Sequence, residues 1–488
     1  MTNRFEPRLH ARLSIWMVLA CWAVPVLAAD RAPPAAGSVV VLADFDQTSP
    51  QMRSSTGVTV AVAEPPRAVK PDERNAPTQR EASDDGPTTA DAAVGPGGLQ
   101  PAEPPLPTGK ACRIASGGPG GAAFTSERWP ADWRSSEMLC LWVFRQPTDD
   151  RPETIELRCV EEDGRAHFWR KIELRHSGWK LIEVPLSAMR WGDQRAPRWD
   201  RVKNLVLFVR QPSEFWIDSL WLSAGANNEA AELAGLRLAR LAFPQSDAAA
   251  VTIVRREQVE LISDCSKIDA NKLADHLQTV AETVLKQLAL PKQDSLRGTL
   301  IVFDRDADYR QFVPRLGAYW NAQAAEPKSG GFTVQAVATA AYSEQHGTLR
   351  PVFTHEFIHS LLARALRVSN RGEWLHEGLA NYYQLRFHPQ ENIAEIVRSG
   401  VEDPSNHLPL EQLCSGKPVP MNRYWQAMTV VEMLLTDDAY RASLPRLLEA
   451  FGTDGSTDLG PRLKIIGKDW ASLAEDWKRF CLRQYTPQ

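Results

Sequence analysis

The 488-residue chain lacks any excess of positive charge: 56 Lys and Arg stand against 60 Asp and Glu, a formal net charge of −4 at pH 7. No Lys/Arg-rich block interrupts its body, so neither nucleic acid nor an anionic membrane surface is expected as a partner. Cysteine is scarce, at 7, and no pair stands in C-x-x-C spacing, which argues against thiolate ligation of a metal. Six cysteines follow the first 29 residues, at Cys112, Cys140, Cys159, Cys265, Cys414 and Cys481. Their irregular spacing suits buried thiols at least as well as disulfides, because a chain of this length does not need staples. Internal repeats are absent, and so is any apolar run long enough for a membrane span.

The first residues carry a different signal. Arg4, Arg8 and Arg12 precede an apolar run from Leu13 to Val24 that ends at Val26-Leu27-Ala28-Ala29. Charge, a short apolar core and small residues form a secretory signal peptide over 1–29, which predicts export to the periplasm or the extracellular space. Val18-Leu19-Ala20-Cys21 loosely matches a lipobox, making lipid anchoring at Cys21 a lesser alternative, since Cys21 sits inside the apolar run. The remaining length calls for two or three domains.

Residues 37–224 read as an antiparallel β-sandwich: short strands such as Leu139 to Phe144, Ile155 to Val160 and Val202 to Val209 are separated by Gly, Pro and Asp turns. A stretch at about 63–109, with ten prolines between Pro65 and Pro107, has almost nothing to bury and is expected to be a disordered insertion. Leu42-Ala43-Asp44-Phe45-Asp46 and Phe215-Trp216-Ile217-Asp218-Ser219-Leu220 resemble the first and last strands of galactose-binding-like jelly rolls, the fold of many carbohydrate-binding modules. That resemblance implies a possible glycan partner. Nine tryptophans lie from Trp129 to Trp221; most are expected in the core, and Trp191 and Trp199, in a polar loop, are the rings expected to be exposed.

Residues 225–250 form a helical connector, and 251–488 an α+β domain whose C-terminal part is helical. Gln258 to Ile262 alternates like a strand, Asp269 to Leu288 has helical spacing, and Thr299 to Phe303 is a buried strand, a β-α-β order that suggests a mixed sheet with a helix against it. Gly330 to Val334 and Val337 to Tyr342 then predict a hairpin or edge strand.

Next comes Thr354-His355-Glu356-Phe357-Ile358-His359-Ser360. On a helix starting near Pro351, His355 and His359 share a face, with Cβ atoms roughly 5 to 6 Å apart, so both imidazoles reach one ion. Glu356 lies about 100° around the helix, beside the metal but free to act as a base. An ordinary solvated His/Glu face is the bland alternative.

Together with Trp374-Leu375-His376-Glu377-Gly378-Leu379-Ala380, the stretch resembles the gluzincin metallopeptidases, in particular the peptidase MA-like group related to aminopeptidase N. The resemblance spans roughly residues 250 to 480. It implies a zincin-like fold, one Zn²⁺ held by His355, His359 and Glu377, Glu356 as general base, and a peptide or protein substrate. Glu373 and His376 are rival third ligands without the Gly-x-Ala context. Leu362 and Ala365 stand where a metzincin would carry Gly and His. Tyr424 resembles the family tyrosine that donates to the oxyanion, with Tyr382 and Tyr383 as alternatives. Asn381, one turn after Glu377, is a candidate to orient a histidine ligand or a plain surface amide. The Gly-x-Met-Glu-Asn signature that captures a free amino terminus is absent, which weighs against exopeptidase action. His276, His346, His388 and His407 are expected at the surface or in loops.

The expected function is an exported zinc metallopeptidase. The alternatives are a glycan-binding or scaffold protein with a vestigial zinc domain, and a zinc hydrolase that its sandwich targets to glycoprotein or cell-wall peptide.

Overall fold

The computed structural model describes residues 39–486, apart from 66–105 and short stretches at 47–49, 108, 127–128, 131, 135, 147–151, 163, 165–166, 193–194, 225–228, 247–249, 291–295, 321–324, 328 and 369. The expected signal peptide, Cys21 and nearly all of the Pro-rich insertion lie outside the described residues.

The N-terminal half is built from period-2 alternation. Leu139, Leu141 and Val143, then Ile155, Leu157 and Cys159, then Leu205, Leu207 and Val209 each place every second side chain in one dry layer. Two six-stranded antiparallel sheets close over it. One runs in the order Val58–Ala63, Ala111–Ser116, Ser213–Ala224, Ser136–Arg145, Gly178–Pro185, with Val39–Ala43 also on Ser213–Ala224. The other runs Arg190–Trp191, His167–Leu174, Glu153–Glu161, Val202–Val209, Gly120–Thr125, Gln51–Ser54. This is the expected jelly-roll-like sandwich; its cysteines, Cys112, Cys140 and Cys159, are buried and unpaired, as are Cys265, Cys414 and Cys481 in the second half.

A connector helix, Glu229–Ala242, leads to a five-stranded mixed sheet in the order Thr252–Arg255, Val259–Ser263, Gly298–Phe303, Val337–Ala341, Gly331–Val334. The three central strands run parallel and both outer strands antiparallel. The two parallel steps need crossovers, supplied by the helices Ala270–Gln287 and Asp306–Tyr319. The edge strand Gly331–Val334 joins its neighbour through a two-residue turn, Gln335-Ala336, with φ of 46° and 57°. Two positive φ values match the right-handed twist of a hairpin but strain residues other than glycine.

The sandwich holds that turn in place. The Trp191 backbone N–H donates to Gln335 Oε1 at 2.8 Å, Gln335 Nε2 donates to the Met189 carbonyl at 3.4 Å, and Ala336 is buried in the sandwich's own core cluster. Across the same seam Arg367 Nη2 donates to both carboxylate oxygens of Glu161, at 2.6 and 2.8 Å. The rest of the chain is helical and shares one large core with the sheet. No helix among the described residues is long and apolar enough to cross a membrane.

Candidate metal centre

The histidine helix, Pro351–Ala365, begins with proline at its first position, where no backbone N–H is missed. Phe357, Ile358, Leu361 and Leu362 bury against the sheet. Contact is close: a Cβ added at Gly298 would lie 2.7 Å from Phe357 Cε2. Ser360 Oγ accepts from the Thr299 N–H at 2.8 Å and donates to the Ala336 carbonyl at 2.7 Å, locking helix, sheet and hairpin turn in register.

The glutamate helix, Trp374–Phe387, crosses the tyrosine helix, Tyr424–Thr436, at close range because Gly378 has no side chain. A Cβ there would sit 2.6 Å from the Ala427 carbonyl oxygen. The glycine after Glu377 is thus a packing requirement that brings the third helix to the site.

His355 Nε2 and His359 Nε2 lie 3.1 Å apart, and each lies 3.6 Å from one oxygen of Glu377. In a tetrahedral zinc site with ligand bonds near 2.1 Å, neighbouring donors stand about 3.3 to 3.4 Å apart. Two imidazoles and one carboxylate, all within 4.8 Å, therefore converge on a point that fits such an ion, and this donor set is oxygen and nitrogen as zinc accepts. Glu373 and His376, the rival ligands, stand outside the group.

Charge around the group is finely opposed. Burial alone would raise the Glu377 pKa, but His359 and His355 outweigh it and hold the carboxyl well below the usual carboxylate range. Burial alone would lower the His359 pKa; the charge and hydrogen bonding of Glu377 win, and the net shift is upward. Behind them, burial pushes Glu373 up to about 7, while burial and then His359 push His376 down to about 3. The His376 ring is fully buried, its Nε2 3.9 Å from Glu373 Oε1, and stands beside the His359 ring, 5.8 Å between centroids.

Glu356 is held by the edge strand. Thr333 Oγ1 lies 2.7 Å from Glu356 Oε2 and 3.1 Å from the Glu356 carbonyl oxygen, so its single hydroxyl proton is available to either. Gly331 clears the space, since a Cβ there would fall 2.6 Å from Glu356 Cγ. Tyr424 opens the tyrosine helix, half-buried; burial first, then the charge of Glu377 and a hydrogen bond to it, raise its phenol pKa. It is therefore a protonated donor beside the donor group. Tyr383 is fully buried and Tyr382 accepts from Gln287 Nε2 at 3.3 Å, so both serve packing.

Other expectations change. Asn381 Nδ2 donates to the Glu377 backbone carbonyl at 2.8 Å; four residues on in the same helix, the amide is used on its own backbone and not on an imidazole. His276 is not a surface residue: its Nε2 lies 3.0 Å from Thr354 Oγ1, which lies 2.9 Å from His388 Nε2, a half-buried cluster behind the histidine helix. His407 is also half-buried, stacked on Trp477 at 5.4 Å. Trp191 and Trp199 are not exposed platforms, because the second half of the chain packs over their loop: Trp191 is buried under Arg364 and Trp199 is half-buried on Phe168.

Sequence reasoning passed over Thr333, Gly331, Ser360 and Gln335. A threonine and a glycine in an edge strand carry no motif; their roles exist only once the strand is laid beside Glu356.

No protein-family description matches the chain, and no curated protein matches it. Among solved structures it is similar to a family 11 carbohydrate-binding module from Clostridium thermocellum, at 14% identity over 40% of this chain and 99% of that one, TM-score 0.26. A family 22 carbohydrate-binding module from the same organism matches at 11% identity over 40% and 97%, TM-score 0.23. An exo-beta-agarase matches at 14% over 51% and 31%, TM-score 0.26. No fold, ligand or chemistry is assigned from similarities at these TM-scores.

Proposed function

We propose that the chain is an exported, zinc-dependent hydrolase of gluzincin type that cleaves peptide bonds. The observation that carries the reading is the His355, His359 and Glu377 donor group: the two Nε2 atoms lie 3.1 Å apart, His355 Nε2 is 3.6 Å from Glu377 Oε2, His359 Nε2 is 3.6 Å from Glu377 Oε1, and the carboxylate Glu356 follows His355 on the same helix. Zinc bound there would polarise a carbonyl and bring the pKa of a water towards about 7.

The chain's own residues supply the rest. Glu356 takes the proton of the attacking water and returns it to the leaving amine. Its hydrogen bond from Thr333 fixes one carboxylate oxygen and leaves the other for the water. Tyr424, protonated and beside Glu377, donates to the oxyanion that forms at the attacked carbonyl. Gly331–Val334 ends the sheet with no strand on its outer side among the described residues, an edge on which an extended peptide can pair.

Purified protein should hold about one zinc per chain, lost in His355→Ala and reduced in Glu377→Ala. Glu356→Gln should keep the metal and lower hydrolysis by about 10²- to 10⁴-fold. Protein without zinc, or zinc unaffected by His355→Ala, sinks the proposal; zinc retained without any hydrolysis in the native chain leaves a vestigial centre.

A second reading, glycan binding by the sandwich, is favoured by the surface pair of Trp169 and Arg190, whose guanidinium lies 5.1 Å from the ring centroid. Retention of the full chain on a glycan array, lost in Trp169→Ala, is its test.

A further inference from the structure

Between the sandwich and the second half lies a cavity of about 290 Å³ whose lining includes the rings of Trp191, Trp199, Tyr319 and Trp320 together with Arg364 and Glu260. Arg134, its side chain 58% exposed, also lines it and marks where it meets solvent. Arg364 belongs to the last turn of the histidine helix and faces away from the donor group, its guanidinium 5.8 Å from the Trp191 ring centroid.

The charges of this seam do not balance. Glu260 is engaged by Arg255 at 3.0 Å, Arg237 pairs with Glu137, and Arg134 pairs with Asp132 at 2.5 Å. Arg364 has no carboxylate within ion-pair distance among the described residues, and its Nε is buried without an acceptor. It also lines an adjoining cavity of about 460 Å³, where Arg198 and Arg367 are likewise met, by Asp200 at 3.2 Å and Glu161 at 2.6 Å. Among the described residues Glu260, already engaged by Arg255, is also the carboxylate whose charge reaches Arg364, so one carboxylate answers two guanidiniums. A guanidinium stays charged when buried, and an uncompensated buried charge is costly, so the site is set up to gain from an arriving anion.

The remaining lining narrows the ligand. Indole faces accept the apolar face of a saturated ring, and a planar guanidinium grips a carboxylate with two parallel hydrogen bonds. We propose that the seam binds a ring-borne carboxylate, a uronic-acid sugar unit, with Arg364 on the carboxylate and the half-buried Trp199 against the ring. This site is separate from the donor triangle and does not depend on the hydrolase reading.

The test is titration of the full chain with glucuronate, and with glucose as the uncharged control, followed by tryptophan fluorescence and calorimetry. Glucuronate should bind and glucose should not. Arg364→Gln should weaken glucuronate binding by about tenfold or more, the worth of a charge-assisted hydrogen bond, and Trp199→Ala should weaken it without changing the preference for the acid. Circular dichroism and zinc content separate lost binding from lost folding, and Arg364→Lys, which keeps the charge, should retain part of the affinity. The proposal is overturned if glucuronate gives neither heat nor a fluorescence change, if glucose binds equally well, or if a folded Arg364→Gln protein binds as the native chain does.

Discussion

Leu205, Leu207 and Val209 in the sandwich and Phe357, Ile358 and Leu361 on the histidine helix are equally buried, yet the two groups do different work. The sandwich residues fill a layer between two sheets, and many apolar side chains of similar volume would fill it as well. Those of the histidine helix set a distance. Phe357 rests on Gly298, Ser360 is bonded both to a strand and to a turn, and Gly378 lets a third helix approach. The first half is stabilised by area removed from water; the second is stabilised by that and by a few contacts that leave no room for one more carbon.

The comparison can be broken at several points. Tyr424→Phe removes one hydroxyl from the tight half, so kcat should fall by about 10²- to 10³-fold with zinc content unchanged, as for loss of an oxyanion donor. Equal kcat in this variant would take Tyr424 out of the chemistry. Leu157→Ala in the layered half should do the reverse, lowering stability by about 2 to 5 kcal/mol in denaturant titration while leaving kcat/KM of the folded fraction unchanged. A large loss of activity in folded Leu157→Ala protein would mean that the halves are not separable in this way.

The smallest effect is on pH. Burial and then the neighbouring His388 push the His276 pKa from 6.5 down to about 4. The unfolded chain binds this proton more readily than the native one, so stability is complete above about pH 6.5 and is lost as pH falls towards 4. His276→Gln should flatten that part of a Tm-against-pH curve, and an unchanged slope would show that the cluster behind the histidine helix does not titrate.

Much of this was legible in the sequence, for physical reasons. Alternation marks strands because successive side chains face opposite ways, and it gave the sandwich and its core. Two histidines four apart mark one helix face, so that pair could be read from spacing, whereas Glu377 came from the resemblance carried by Glu377-Gly378-Leu379-Ala380, with Glu373 and His376 as rivals. What stayed hidden depends on elements distant in the chain. Trp191 and Trp199 sit in a polar loop that reads as exposed until the second half covers it. Asn381 offered two readings, an amide orienting a histidine ligand and a plain surface amide, and in the fold it donates to the backbone of its own helix. Thr333 and Glu356 are 23 residues apart with a turn between them, and only the hairpin's placement joins them.

The strained turn at Gln335-Ala336 has a consequence for how the chain divides. Non-glycine residues at positive φ cost on the order of 1 to 3 kcal/mol each and persist only when their surroundings hold them. Here part of the holding is done by Met189, Trp191 and the sandwich core, about 150 residues upstream. A cut at the connector helix would therefore yield a second fragment whose edge hairpin, Gly331–Val334 with Val337–Ala341, is released from one of its anchors. The support of the candidate metal centre therefore does not stop at the boundary between the two halves, because the sandwich anchors the turn beside it.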